Sequence, residues 1–550
     1  MPNPRILILN CYSDNHRSAR GNPWIVPQSI APAVLAGMLD PARVDIRLAC
    51  EFRNGPFEDL GALQWADLLV LTGLNPAFDR MKQVTAYARA VNPGIVVAMG
   101  GPLARMLPNL SRRYFDYVCS GDVEQMVSVV DAVFGPGHAA DVPIPRHDLL
   151  PGSRLIGYAE GSRNCNFRCS FCAMTAEDRH FMAYDLDDVR RQIEALGYRQ
   201  CVMFLDQNFF AGPRAYFKAR MALLKELFEQ RQFGGWAALV TADFFTGADN
   251  VSLARESGCI GFFSGVESFS RARVTAFNKK QNLVLPQEET IRSCLEAGLI
   301  FHYGLIFDLV DQRIDELLAE IELIVANPRI TLPSFLSFTI PMLGTPLFGR
   351  RLREGLFLPN LKLRDMDGRS LVCYPVDPIE KAIAFAALMD KGLIAKHKLA
   401  VHAWRFFRRY RATLSRWGLL SGLGNAWTMS YPRFGSNGRD GIRPGRDGCR
   451  SYLASSEPLG SLYRPCIRIP ERYRGHFEPL YVTDPDGELH DDLIGDAASL
   501  LPPPRGEAAT IPHIMGSRRQ DKRRILASRK TGSVDGEELR DDARDDQAAL

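Results

Sequence analysis

The sequence predicts an α/β protein: an N-terminal doubly wound, Rossmann-like domain, then a partial (β/α)6, TIM-like barrel, a helical C-terminal region and a disordered tail. Three observations predict it. Short apolar runs without polar alternation recur as far as residue 340, as in strands buried on both faces. Amphipathic stretches at helical spacing separate them. Glycine-bearing loops follow several runs, where ligands of such sheets bind.

In the first domain, residues 1–145, the expected strands are 5–9, 44–49, 68–72, 95–99 and 117–119, with helices at 29–39 and 78–91. The loops at their carboxyl ends are 10–21, 73–79, 100–102 and 120–124. In the second, residues 150–350, strands are expected near 154–159, 201–205, 237–241, 260–265, 299–307 and 335–340. Helices lie between them at 186–196, 214–230, 250–256, 286–297 and 314–325, with stops at Gly197, Gly258 and Gly298. A barrel of this kind works on the loops after its strands. The extension, residues 351–500, looks helical over 376–418 and ends in a basic, aromatic stretch from Trp404 to Tyr410. That stretch reads as a packing helix with a solvated face, or as a lid or a surface for an acidic partner. Residues 421–448 are rich in glycine, arginine and proline, which speaks against regular structure. Residues 501–550 have a basic block followed by an acidic one and read as disordered.

Composition narrows the function. With 550 residues, 46% hydrophobic and 24% charged, the chain is no disordered protein. Lys+Arg 67 against Asp+Glu 63 gives +4, so no dominant nucleic-acid field is expected. No apolar run approaches the length of a transmembrane segment, and the N-terminus lacks the pattern of a signal peptide. The expected location is cytoplasmic. There, twelve cysteines are no disulfide framework, and their spacing carries the information.

Three of them, Cys165, Cys169 and Cys172, stand in a C-x3-C-x2-C pattern after the first expected barrel strand. Chance gives such a triplet in fewer than about one chain in a hundred of this cysteine content. Three soft thiolates this close can wrap one metal centre. A structural zinc would want a fourth ligand nearby, and His180 is a weak candidate. A non-catalytic, metal-stapled binding protein is therefore one reading. In the other, an iron–sulfur cube is held by three cysteines, which leaves one iron open.

On this motif the chain resembles the radical S-adenosylmethionine (radical SAM) superfamily. The resemblance implies a 4Fe-4S cluster on Cys165, Cys169 and Cys172, with S-adenosylmethionine bound to the open iron. It extends downstream. Phe171 lies between the cysteines; Asp206 and Asn208 follow the second strand; Gly265-Val-Glu267-Ser268 follows another. In the family these positions approach the cofactor, and Thr241 and Asp243 would reach its ribose. Each is also an ordinary packing, loop or helix-start residue. The segment from Pro341 to Pro346 matches a family turn at the pocket mouth. Cys201, Cys373 and Tyr303 are candidates for a radical quencher or proton relay, or else packing residues.

A doubly wound domain ahead of such a barrel resembles the cobalamin-binding subgroup. Thr72, Gly100, Gly101 and Pro102 would then contact the corrinoid, with Gly121-Asp-Val-Glu124 nearby. Asp14 and His16 partly match a cobalt-ligating motif, but Gly21 stands two places late, and binding without a protein ligand is the favoured alternative. The resemblance implies cobalamin-dependent C-methylation of a small or apolar substrate, or oxidative cyclisation and rearrangement on the same architecture. A reductant such as flavodoxin or ferredoxin would be the partner.

Overall fold

The computed structural model describes residues 2–430 except 12–28, 52–56, 151–154, 178–179, 360, 362, 367 and 369. It also describes the short strands 443–444, 467–468 and 514–516. Asp14, His16 and Gly21 lie outside the described residues.

The first sheet is built from β1 (Arg5–Asn10), β2 (Asp45–Cys50), β3 (Leu68–Thr72), β4 (Val96–Gly100) and β5 (Tyr117–Cys119). Their order is β2-β1-β3-β4-β5, all parallel. β1 and β3 carry the apolar runs Ile6–Leu9 and Leu68–Leu71, buried because helices cover both faces. The order reverses between β1 and β3, which opens a crevice at the carboxyl ends of the strands. Ile514–Gly516, from the segment expected to be disordered, pairs antiparallel with β5.

The second sheet begins with β6 (Ile156–Ala159). Next comes a hairpin of β7 (Ser162–Arg163) and β8 (Met182–Ala183). The sheet continues with β9 (Cys201–Phe204), β10 (Trp236–Leu239), β11 (Cys259–Glu267), β12 (Ile300–Phe307) and β13 (Phe335–Phe338). Apart from the hairpin these six strands pair in chain order, all parallel, as in an opened barrel. Helices Leu186–Leu196, Arg214–Glu229, Asn250–Glu256, Gln287–Glu296 and Ile314–Ala326 connect them and bury one apolar face each.

The extension differs from expectation. The single helical stretch is three helices, Ile379–Lys391, Lys396–Tyr410 and Arg416–Ser430, with a break at Gly392 (φ 103°). The third runs through glycines that argue against a helix. Gly418 and Gly422 face β12, where a Cβ on Gly422 would lie 2.9 Å from Ile300 Cδ1. Close packing therefore outweighs the low helix propensity of glycine. The two domains share a wall: Leu343, Phe348, Leu361 and Met366 pack with Phe78 and Leu110 of the first domain.

Candidate active site

The cysteine loop is a side excursion from the barrel, pinched at its base by the β7–β8 hairpin. Asp206, just past β9, fastens that base. Its Oδ2 accepts from the Gly161 amide at 2.9 Å, and its Oδ1 from Ser162 Oγ at 2.6 Å and Arg220 Nη1 at 2.9 Å. Arg220 also lies over the Phe209 ring at 3.6 Å, and the whole pair is buried. Asp206 therefore shapes the loop and has no exposed oxygen left for a ligand. Asn208 is buried as well and donates to Asn166 Oδ1 at 3.0 Å, which fixes the residue after Cys165.

Cys169 is buried, and Cys165 and Cys172 are half-buried. The Cys169 sulfur accepts from Gln281 Nε2 at 3.3 Å. Burial pushes the Cys172 thiol up to about 11 and also raises Cys165 and Cys169. Each thiol is raised further by a neighbouring acid or thiol, and the Lys279 ammonium opposes the rise in all three. Burial pulls the Lys279 pKa down, but Glu267 and the thiols outweigh it and raise it. Phe171 packs edge-on against Phe277 at 5.0 Å, with Lys279 5.9 Å from its ring centre. The loop is stitched to this segment by Ser170 N to Phe277 O at 2.9 Å and Asn278 Nδ2 to Arg168 O at 2.9 Å.

Glu267 ends β11 at φ 64°, after a bulge, and forms a buried ion pair with Lys279. Gly265 makes room for that pair, since a Cβ there would sit 2.6 Å from Lys279 Nζ. Ser268 donates to Glu320 Oε1 at 2.8 Å. Thr241 hydrogen-bonds Asp243, whose carboxyl is raised by burial. Thr345 caps helix Pro346–Arg353 by accepting from Phe348 N at 3.1 Å, and Gly344 (φ 77°) completes the turn. Tyr303 is fully buried and donates to Thr331 O at 2.8 Å. Burial pushes Cys201 and Cys373 each up to about 12. All three are placed as packing residues.

The loop fits a cluster. The buried Ser170 Oγ, Gln281 Oε1 and Asn282 Oδ1 have no hydrogen-bond partner, so polar groups without protein partners surround the thiols. Among the described residues no set of three or more His, Cys, Asp and Glu is gathered to hold a single ion. A cube asks for something different, because it spreads its thiolates over three irons.

In the first domain the crevice is a cavity of about 560 Å³ at the ends of β1, β3, β4 and β5, lined by Thr72, Gly73, Gly100, Gly101 and Pro102 among others. Gly101 has φ 108°, and a Cβ there would come within 3.0 Å of Gly73 O. Such backbone-lined walls admit a bulky ligand close to the main chain. The barrel contributes Leu205 and Glu177 to the same cavity. Glu177 ends the short helix Ala173–Glu177 directly after Cys172, and pairs with Arg105 at 3.7 Å. Burial raises the Glu177 carboxyl despite Arg105. Arg105 also donates to Gly121 O at 2.7 Å, and Arg163 reaches across to Glu124 at 2.6 Å. Among the described residues no histidine lines the cavity.

Sequence reading missed Arg105, Glu177, Arg163, Lys279 and Gln281. Arg163 and Glu177 flank the cysteine motif, but nothing in the sequence marks their partners, and only the fold brings Arg105, Lys279 and Gln281 to the site.

With this geometry in view, residues 160–321 match the radical SAM superfamily. The hopanoid C-2 methylase of Rhodopseudomonas palustris (strain TIE-1) is 26% identical over 327 residues, 53% of this chain and 58% of that protein. The chain thus spans less than two thirds of that relative's length. An uncharacterized methyltransferase of Pyrococcus horikoshii is 24% identical over 373 residues, 60% of this chain and 77% of that one. Two solved structures share the fold at 14% identity. The radical S-adenosylmethionine methyltransferase TsrM from Kitasatospora setae has a TM-score of 0.54, covering 78% of this chain and 98% of that one. The cobalamin-dependent S-adenosylmethionine radical enzyme OxsB has 0.53, covering 78% and 72%.

Proposed function

We propose that this chain, which carries a radical SAM domain, is a cobalamin-dependent radical SAM enzyme that methylates an unactivated carbon of a small or apolar substrate. The observation that carries the reading is one shared wall. The helix that follows Cys172 delivers Glu177 into the glycine-lined cavity of the first domain. A cluster on the cysteines and a ligand in the cavity would therefore be separated by one short helix, roughly 8 Å long.

When bound, the cluster, S-adenosylmethionine and cobalamin supply an electron, a carbon-centred radical that takes hydrogen from the substrate, and a methyl donor. This chain's residues do the rest. Cys165, Cys169 and Cys172 hold the irons. The Gln281 amide, donating to Cys169, withdraws charge from that sulfur and so favours the reduced cluster. Phe171 and Phe277 exclude water on one side. The Lys279–Glu267 pair places a fixed, neutralised charge set beside the loop. Thr72, Gly100, Gly101 and Pro102 cradle the corrinoid through the backbone, and Arg105–Glu177 keeps both sites in register. The OxsB likeness supports the cofactor pair, the TsrM likeness supports S-adenosylmethionine, and the two methylase-named relatives support the outcome.

A reductant of the flavodoxin or ferredoxin type would supply the electron. A cytoplasmic location agrees with the ten described cysteines, all free. No described helix is long and apolar enough to cross a membrane.

Anaerobic reconstitution tests the reading. It should give about four irons per chain and one bound corrinoid. Reductant should then drive 5′-deoxyadenosine formation, and label from S-adenosylmethionine's methyl group should enter the product. Bound corrinoid with 5′-deoxyadenosine but no transferred label would replace methylation by cyclisation or rearrangement. A single zinc and no nucleoside product would end the proposal.

A further inference from the structure

The helical pair after residue 391 is unused by the chemistry above, yet its surface is both basic and apolar. Residues 391–430 contain eight Lys and Arg and no Asp or Glu, although the whole chain is only +4. Helix Lys396–Tyr410 buries Leu399, His402, Phe406 and Tyr410, one stripe at helical spacing. That stripe is locked to the barrel by His402 Nδ1 to Val325 O at 3.0 Å and Tyr410 Oη to Arg329 O at 2.6 Å. Helix Arg416–Ser430 is locked through His302, which meets Ser421 at 2.8 Å and Asn425 at 3.2 Å. The pair is thus a rigid hairpin with one face fixed.

Its other face is apolar and cationic together. Trp404 is 57% exposed, Trp417 66% and Leu420 61%, with Val401 and Phe407 exposed too. All but Val401 lie within about two helical turns of the joining segment 411–415, so they gather at the tip of the hairpin. Arg408 lies over Trp404 at 4.9 Å. Arg409 and Lys398 are engaged by Glu296 and Glu322. Among the described residues, Arg405, Arg411 and Arg416 have no carboxylate within ion-pair distance.

We infer that this tip docks the protein on an anionic phospholipid surface, with Trp404, Trp417 and Leu420 seated among the headgroups and the arginines on lipid phosphates. Indoles prefer such an interface because one edge is apolar and the N–H is polar. A helix with cations beside exposed tryptophan, phenylalanine and leucine is the composition that lies in a membrane plane. A nucleic-acid backbone would satisfy the arginines but give Leu420 and Val401 nothing to bury against. The inference does not depend on the proposed reaction.

Flotation of the full chain with vesicles decides it. The protein should float with phosphatidylcholine–phosphatidylglycerol vesicles and not with phosphatidylcholine alone, and its tryptophan emission should shift to the blue. Each surface cation contributes about fivefold to partitioning, so Arg405→Gln with Arg408→Gln should weaken it roughly 25-fold. Trp404→Ser with Trp417→Ser should abolish the emission shift. Circular dichroism and iron content should match the parent, because all four side chains are exposed. Failure of the parent chain to float, or undiminished flotation of both variants, overturns the inference. So does capture by RNA or DNA under conditions where vesicles are ignored.

Discussion

The two sheets offer their ligands opposite kinds of wall. At the end of the second, the site is made of side chains: three thiols, with Lys279, Gln281 and Glu267 around them. At the end of the first it is an apolar cavity with one wall of main chain, where Gly73, Gly100 and Gly101 present nothing beyond Cα. A wall of thiols binds by forming bonds and fails when one atom is removed. A wall of glycine binds by leaving space and fails when one atom is added.

The largest effect that could break this contrast is loss of a thiol. Cys165→Ala, Cys169→Ala or Cys172→Ala should each lower 5′-deoxyadenosine formation at least about 100-fold, more than loss of an outer partner costs. Cys201→Ala should stay within about twofold, since Cys201 is a packing residue of β9. Iron content and product assay read both, and equal losses in all four would erase the distinction.

Next comes addition of an atom. Gly101→Ala forces a side chain into φ 108° and towards Gly73 O, at about 1–3 kcal/mol of strain. Corrinoid uptake should fall about tenfold or more while iron stays bound, as absorbance titration would show. The seam between the walls follows. Arg105→Met removes the Arg105 guanidinium from the buried Glu177 carboxylate and should destabilise the interface by about 1–3 kcal/mol. Melting followed separately by cluster absorbance and far-UV dichroism should then show two transitions where the parent shows one.

The smallest effect is a pH dependence. Burial pushes the Glu160 carboxyl up to about 7, against the pull of Arg163. The folded state then binds a proton that the unfolded chain has released, so stability falls as pH rises from about 4.5 to 7. Glu160→Gln should be more stable than the parent by about 3 kcal/mol at pH 8, with the difference vanishing below pH 4.5. Denaturant titration at the two pH values would check it, and a constant difference would count against a half-buried, ionising Glu160.

The contrast also explains what was legible in the sequence. Strands buried on both faces announce themselves as apolar runs, so β3 and β5 match the expected bounds residue for residue and β11 differs only at its ends. The thiols were legible because three rare residues at fixed offsets leave a pattern. The glycines were legible as turns, although nothing in them says what they leave room for. The β7–β8 hairpin has two residues per strand, too few for any period to show. Asp206 illustrates the opposite hazard. It stands where a family resemblance predicts a cofactor contact, and the fold surrounds it with Gly161, Ser162 and Arg220. Glu177 and Arg105 could not be paired from sequence, because 72 positions and two domains separate them.

That Asp206 knot has a practical corollary. The base of the loop is held by the Asp206 carboxylate, the Arg220 guanidinium, the Tyr216 hydroxyl, which donates to Gly161 O at 2.9 Å and Tyr184 O at 2.8 Å, and a pair of short strands. The base of the loop is thus set by groups other than the thiols, so a change at Asp206 or Arg220 reaches the three cysteines through the backbone without touching a sulfur.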